Sequence, residues 1–371
     1  MPFLERGRIR MLRALECARR GAGHVSPNPL VGCVIVDDSG EVLGEGAHLV
    51  YGGPHAEPNA IADAEAKGNS VRGATAYVTL EPHAHEGKTP PCTRLLIEKG
   101  IARCVIAMED PNPKVSGRGI RELQAAGIAV DAGLLEEEAR ELNRFFIRHI
   151  TTGLPYVTLK LASSLDGRSA LANGEARWIT SEASRRIVHQ MRAEYDAVLV
   201  GARTVLADDP ELTPRLVEGR VPYRILLDAR MELPHSLKLF TDAHREKTIA
   251  ITTASALARR GSIPDIQTIV VGEDRGRIDL ANAWKLIGER GIASVLVEAG
   301  PRLAASILRS GLFEEIALFL APTLFGSDAL PSVGPLDIAE LHSRPELRLQ
   351  EMMPVPNSSD IFLRFRHKDG K

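Results

Sequence analysis

Hydrophobic positions in the first 150 residues switch between a helical and a strand period. Met11, Leu12, Leu15 and Ala18 fall at helical spacing, the pattern of an amphipathic first helix. A strand is predicted at Leu30 to Val36, a helix from about Ala56 to Lys67, and a strand at Ala74 to Thr79. A helix from about Thr93 to Lys99, a strand at Arg103 to Ala107 and an amphipathic stretch from Leu134 to about Arg148 follow. Alternation of this kind calls for a central sheet with helices on both faces. Thr151, Thr152, Gly153, Leu154 and Pro155 combine breaker chemistry with no periodicity, which places a domain boundary there.

A second alternation begins beyond it. Strands are predicted near Tyr156 to Ala162, Ala197 to Val200, Arg224 to Leu227, Thr248 to Thr252 and Val295 to Glu298. Helices fit at about Ser181 to Arg192, Leu280 to Glu289 and Arg302 to Leu308. The expectation is therefore two α/β domains, 1–150 and 151–371, with no internal repeat between them. At roughly 100–200 residues per domain, a chain of 371 residues agrees with two.

Composition narrows the functions open to such a chain. With 44% hydrophobic and 25% charged residues, disorder and fibrous architectures drop out. Lys and Arg number 46 against 48 Asp and Glu, a net charge of −2, which lacks the positive excess that drives binding to a nucleic-acid backbone. Four cysteines, Cys17, Cys33, Cys92 and Cys104, do not make a disulfide framework. Free thiols or metal ligands in a reducing, cytoplasmic compartment are expected instead. No apolar run approaches the roughly 20 residues that cross a bilayer; the longest, Ile316 to Phe325, is interrupted by Pro322. The Arg-rich start carries Glu5 and Glu16 among its cations, which reads as an ordinary first helix and not a targeting peptide.

The chemistry begins at His55-Ala56-Glu57, which opens a predicted helix. In zinc hydrolytic deaminases such a His binds the metal, while the Glu moves protons without being a ligand. Further ligands at a second helix start, near Cys92, would make three and leave a fourth position for water. Taken alone, His followed by Glu at a helix start is also a favourable surface arrangement, because a carboxylate suits the helix dipole there.

The run from Asn28-Pro29-Leu30-Val31-Gly32 continues through His55-Ala56-Glu57 and Ala76-Tyr77-Val78-Thr79-Leu80-Glu81-Pro82. With Gly87-Lys88-Thr89-Pro90-Pro91-Cys92 and Asp110-Pro111-Asn112-Pro113, it closely resembles the bifunctional deaminase–reductase family of riboflavin biosynthesis. The resemblance covers nearly the whole chain. It implies a cytidine-deaminase-like α/β/α domain followed by a dihydrofolate-reductase-like α/β domain. It implies zinc held by His55, His83 and Cys92, with Glu57 as the catalytic proton carrier. Asn28 and His48 would lie near the pyrimidine, and Lys88, Asp110 and Asn112 around the ribose phosphate. On local chemistry Asn28 and the Asp110 to Pro113 segment also suit plain turns.

One position departs from the family. His83 stands where the family has Cys, giving two imidazoles and one thiolate in place of one imidazole and two thiolates. Loss of a negative ligand should lower metal affinity and make a bound water more acidic. His85, two residues on, is a competing ligand.

In the second half no GxGxxG follows a strand, so a Rossmann site lacks its main support. Val295-Leu296-Val297-Glu298-Ala299-Gly300-Pro301 leads from a buried strand into a helix, a terminus that suits a pyrophosphate and equally an ordinary turn. This segment, Lys160 to Gly167, Gly174 to Thr180 and Gly201 to Pro210 resemble the reductase half of the same family. The resemblance implies NADPH contacts from Ala162, Trp178, Thr204, Asp208 and the turn of Gly300, Pro301, Arg302, Leu303, Ala304, Ala305 and Ser306. It implies substrate contacts from Ala176, Arg192, Leu212, Arg215 and Glu298, with Lys160 catalytic beside the reacting sugar carbon. Without the family, Arg192 reads as a solvated helix face and Trp178 as core.

The implied reaction is hydrolysis of the 2-amino group of 2,5-diamino-6-(5-phosphoribosylamino)pyrimidin-4-one, then reduction of the ribosyl group to ribityl by NADPH. A homo-oligomer is implied as well. Two rival readings follow from His83: a reductase whose deaminase half is inactive, or a first half that serves only as a metal-stabilised assembly module.

Overall fold

The computed structural model describes residues 2–86, 90–176, 178–274 and 276–368. Lys88 lies outside the described residues. The chain divides into two compact units, Met1–Gly153 and Leu154–Lys371.

In the first unit five strands, β1 (Gly32–Val36), β2 (Val42–Ala47), β3 (Thr75–Val78), β4 (Arg103–Ile106) and β5 (Ala129–Ala132), lie in the order β2-β1-β3-β4-β5. β1 runs antiparallel to both its neighbours, and β3, β4 and β5 are mutually parallel. Six helices accompany them: α1 (Pro2–Arg19), α2 (Ala56–Ala66), α3 (Cys92–Glu98), α4 (Arg118–Ala125), α5 (Glu136–Leu142) and α6 (Arg144–Thr152). The period of two in the strands sorts their side chains between two cores. Cys33, Ile35, Ala76, Val78, Cys104 and Ile106 pack against α2, α3 and α4. Val34, Val36 and Val105 pack on the opposite face against α1 and α5. Helices cover both faces, as the hydrophobic pattern predicts.

β2 escapes that pattern because its sequence, Val-Leu-Gly-Glu-Gly-Ala, has glycine at two of its positions, and glycine disfavours strands. Those glycines position the site. A Cβ on Gly46 would strike the Ala60 amide nitrogen and the Ala56 carbonyl oxygen, and one on Gly44 would strike the backbone of Ala60 and Ala64. Helix α2 therefore rests directly on the backbone of β2, with its first turn held against the sheet. α6 runs past the expected end of the amphipathic stretch. The hydroxyls of Thr151 and Thr152 bond back to the carbonyls of Ile147 and Arg148, each at 2.6 Å, and the helix stops only at Gly153, at φ 72°.

The second unit is built on one nine-stranded sheet of β6 (Tyr156–Ser164), β7 (Ala197–Gly201), β8 (Tyr223–Leu227), β9 (Thr248–Thr253), β10 (Gln267–Val271), β11 (Ser294–Glu298), β12 (Glu315–Ala321), β13 (Leu347–Pro354) and β14 (Ile361–His367). Their order is β10-β9-β8-β7-β11-β6-β12-β14-β13. Neighbours are parallel from β10 through β12, and the last two pairings are antiparallel. α7 (Glu182–Glu194) packs through Val188 on one face with Phe319 and Phe362. On the other face α9 (Leu280–Gly288) and α10 (Pro301–Ser310) cover Val157, Leu159, Val295 and Val297; α8 (Ala202–Asp208) follows β7 directly. The strands at the C-terminal end are absent from the sequence-based expectation because β13 is largely exposed and the apolar run of β12 carries no polar alternation. Among the described residues, no helix is long and apolar enough to cross a membrane.

Gly46→Ala is expected to force α2 off β2 and destabilise the first unit by about 1–3 kcal/mol, the usual cost of overpacking. Thermal unfolding followed by circular dichroism checks this; an unchanged transition would show that the sheet tolerates the methyl group.

Candidate functional site

Three helix and turn boundaries in the first unit bring the ligating side chains together. His55 is the N-cap of α2, in extended backbone, so its side chain stands clear of the helix while Glu57 enters the first turn. Cys92 opens α3 immediately after Pro91. His83 lies on the turn after β3, and its carbonyl accepts the Thr93 N–H at 3.4 Å and the Thr93 hydroxyl at 3.5 Å. Thr93 is fully buried, so this contact ties the His83 turn to the start of α3.

The ligating atoms of His55, His83 and Cys92 all lie within 4.8 Å of one another. Cys92 Sγ is 3.6 Å from His55 Nδ1. Zinc bonds of about 2.0–2.3 Å at tetrahedral angles separate ligand atoms by about 3.3–3.8 Å, so that pair has the spacing of two zinc ligands. The donor set fits zinc, which accepts imidazole and thiolate alike. His85 stands outside the cluster, its ring centroid 5.5 Å from that of His83.

The electrostatics suit a cation. Burial, then the imidazoles of His83, His48 and His85, lowers His55 to about 4, so it is neutral at pH 7 with a lone pair to give. Burial and the adjacent Glu57 carboxylate push the Cys92 thiol up; a metal ion is what would hold it as thiolate. Glu57 is 2% exposed, and its Oε2 has no hydrogen-bond partner among the described residues. Burial raises its carboxyl, against the pull of its own backbone amide and of Cys92. A carboxyl shifted toward neutrality and aimed at a ligand cluster is suited to carrying a proton.

Asn28 and His48, distant in sequence, meet here. Asn28 Nδ2 lies 3.2 Å from His48 Nε2, and His48 Nδ1 lies 3.0 Å from the Pro54 carbonyl oxygen. A carbonyl accepts only a proton, so Nδ1 carries the hydrogen and Nε2 receives the Asn28 amide, which turns the Asn28 oxygen outward. Asp110 and Asn112 form a tight turn in which Asp110 Oδ1 accepts the Asn112 N–H at 2.8 Å and Asn112 Oδ1 accepts the Lys114 N–H at 3.1 Å. Burial raises the Asp110 carboxyl, with Glu81 adding to it against the Asn112 amide.

In the second unit, strand register does the assembling. Glu298 on β11 pairs directly with Lys160 on β6, near the carboxyl ends of parallel strands where α/β sheets bind ligands. Arg192 reaches in from α7, donating to Glu298 through Nε at 2.6 Å and Nη2 at 2.9 Å, and to the Thr213 carbonyl through Nη1 at 3.1 Å. It is 8% exposed, which removes the reading as a solvated helix face. Burial by itself would raise Glu298, but Arg192, Lys160 and His189 outweigh it and hold the carboxyl at about 2. Burial lowers the Lys160 ammonium, opposed by Glu298 and assisted by Arg192.

Leu212 is buried with φ 57°, a conformation that L side chains adopt only under constraint. Arg215 is exposed and pairs with Glu211 at 2.9 Å. A Cβ on Gly300 would lie 3.3 Å from Thr204 Oγ1, so the start of α10 and α8, which also carries Asp208, are neighbours. Ala304 and Ala305 turn their methyls into the protein interior, Leu303 packs against the same core, and Arg302 is exposed. Ala162 on β6 pairs with Phe319. Ala176 is exposed. Trp178 is 68% exposed, with the Arg185 guanidinium 4.2 Å from its ring centroid, and is not core.

Two polar groups in these sites carried no sequence signal beyond their motif or helix. Glu81 accepts four backbone amides from residues 29 to 39 positions further on, and no local pattern foretells such partners. His189 faces the Arg192 cluster from the same helix; burial and the charges of Arg192 and Arg215 lower it to about 4.

The fold and the two clusters define a zinc-deaminase-like unit joined to a reductase-like unit, and the comparisons with known proteins agree. Residues 7–108 match the cytidine and deoxycytidylate deaminase zinc-binding region, and residues 155–358 match the RibD C-terminal domain. The riboflavin biosynthesis protein RibD of Escherichia coli K12 is 43% identical over 361 residues, covering 93% of this chain and 95% of that one. That of Bacillus amyloliquefaciens is 41% identical over 363 residues, 97% of this chain and 96% of its own. A diaminohydroxyphosphoribosylaminopyrimidine deaminase/5-amino-6-(5-phosphoribosylamino)uracil reductase from Thermotoga maritima superimposes with a TM-score of 0.87 at 38% identity, over 98% of this chain and 99% of that one. The chain belongs to the RibD family of riboflavin biosynthesis proteins.

About one zinc per chain is expected by metal analysis after zinc supplementation. Cys92→Ala should abolish it, and His83→Cys should hold zinc more tightly against a chelator, because a second thiolate adds negative charge. A chain that takes up no zinc would contradict the ligand assignment.

Proposed function

We propose that the first unit hydrolyses the 2-amino group of 2,5-diamino-6-(5-phosphoribosylamino)pyrimidin-4-one and that the second unit reduces the ribosyl group of the product to ribityl. What carries this reading is one juxtaposition in each unit: His55, His83 and Cys92 beside buried Glu57, and Lys160 beside Glu298 with Arg192 behind it.

In the first unit His55, His83 and Cys92 would hold the metal. Zinc, when bound, supplies a water acidified to a pKa of about 7. Glu57 takes a proton from the attacking water and returns one to the departing amino group, which leaves as ammonia. Asn28, oriented by His48, offers its amide oxygen to the pyrimidine. Asp110, Asn112 and Lys88 take the ribose phosphate end.

In the second unit NADPH, when bound, would supply the hydride. The first turn of α10 offers N–H groups without intrahelical acceptors to the cofactor's pyrophosphate, with Thr204, Asp208, Ala162 and Trp178 around the remainder. Lys160 donates a proton or hydrogen bond to the sugar oxygen as its carbon is reduced, and Glu298 holds it there. Arg192 keeps Glu298 ionised while each of its Nη atoms retains an N–H to donate; with Arg215 and the backbone near Leu212 and Ala176 it meets the substrate.

A decayed or purely architectural first half is not favoured, because three ligand atoms and a proton carrier remain assembled despite His83. Four buried free cysteines support a reducing, cytoplasmic setting. A homo-oligomer is supported by β13, an edge strand with Leu347, Leu349 and Met352 exposed, beside an apolar cavity of about 530 Å³ lined by Leu161, Ile316, Leu318 and Phe365.

Two assays test the chemistry. Glu57→Gln should abolish ammonia release while NADPH oxidation on the already deaminated substrate continues, and Lys160→Met should do the reverse. Loss of both activities in either folded variant would overturn independent sites. Light scattering should give at least twice the monomer mass for the parent, and Leu349→Lys with Met352→Lys should reduce it to the monomer; a monomeric parent would remove the oligomer.

A further inference from the structure

Glu81 is 5% exposed. Its Oε2 accepts the N–H groups of Asp110 at 3.1 Å and Gly117 at 2.9 Å, and its Oε1 those of Gly119 at 2.8 Å and Ile120 at 3.3 Å. Its own N–H donates to the Met108 carbonyl at 3.0 Å. One buried charge thus gathers the beginning of the 110–120 segment and the first turn of α4, where the helix dipole also favours an anion. Asp110 and Asn112 lie inside the span so closed.

The same segment is pressed onto the turn that leads to His83. A Cβ on Gly119 would strike the Pro82 carbonyl oxygen, so α4 begins in direct backbone contact with the residue before His83. Loop and ligand turn share one anchor.

We propose that Glu81 is a positioning residue of the deaminase site, which sets Asp110 and Asn112 at a fixed place relative to the His83 turn so that they engage the ribose phosphate end of the substrate. This rests on the deaminase reading above. Glu81 acts through main-chain amides and touches neither substrate nor metal. Only a carboxylate serves, because both of its oxygens accept; a carboxamide of the same shape would turn an N–H toward two N–H donors.

The test is Glu81→Gln in the full-length, zinc-loaded chain. Its KM for the diaminopyrimidine substrate should rise about tenfold, the loss of one charge-assisted bond's worth of binding, with kcat changed by less than about twofold. Zinc content and NADPH oxidation on deaminated substrate should match the parent. A lower melting temperature with KM unchanged would reduce Glu81 to a role in stability and overturn the proposal, as would loss of zinc. Hydrogen exchange on the unaltered enzyme adds a measurement that needs no variant. The amides of Asp110, Gly117, Gly119 and Ile120 should be protected without substrate, and rapid exchange at these four would overturn the proposal. A parent that releases no ammonia would overturn the deaminase reading and this proposal together; normal release with unchanged KM in Glu81→Gln would overturn the positioning role alone.

Discussion

A charge or ligating group taken out of water costs several kcal/mol unless something compensates it, and both units are arranged around that constraint. In the second unit the Glu298 side chain, only 14% exposed, is met by two hydrogen bonds from Arg192, with Lys160 on the next strand. In the first, Glu81 is buried because four backbone amides converge on it. The His55, His83 and Cys92 cluster has the same logic with the compensation left to a cation. Each compensation also fixes geometry, since a partner that neutralises a buried group leaves it few places to go.

Backbone proximity supplies the other half of the positioning. Gly44 and Gly46 let α2 lie on β2, and this sets the height at which His55 and Glu57 leave the sheet. Gly119 does the same for α4 against Pro82. In the second unit the parallel register of β11, β6 and β12 places Lys160 between Glu298 and Ala317. Sites built on such elements hold their side chains more tightly than sites on free loops.

His83 changes the charge of the metal centre without dispersing it. An imidazole reaches further than a thiol, yet His83 keeps its place in the cluster, with its carbonyl tied to Thr93. The exchange removes one negative ligand, and with zinc bound it would lower metal affinity and make the ion more electrophilic. Burial pushes the Glu57 carboxyl beside this cluster toward the neutral form.

The sequence by itself determined the two α/β halves, because strand and helix periods are local properties, and it marked the candidate ligands and proton carrier, because motif spacing places His55, Glu57 and Cys92 at helix starts. Resemblance extended this to the substrate and cofactor residues. Only the tertiary structure decided what lies next to what. β2 was hidden because its function depends on side chains it lacks. Arg192 looked like a surface residue on helical periodicity and proved to be the buried partner of Glu298, 106 positions away. Glu81 stood in the sequence only as one member of a motif run, and its four amide partners lie beyond any local window. Such pairings follow from chain folding across the sheet, which brings distant residues within hydrogen-bond reach and leaves no trace in the spacing of the residues themselves.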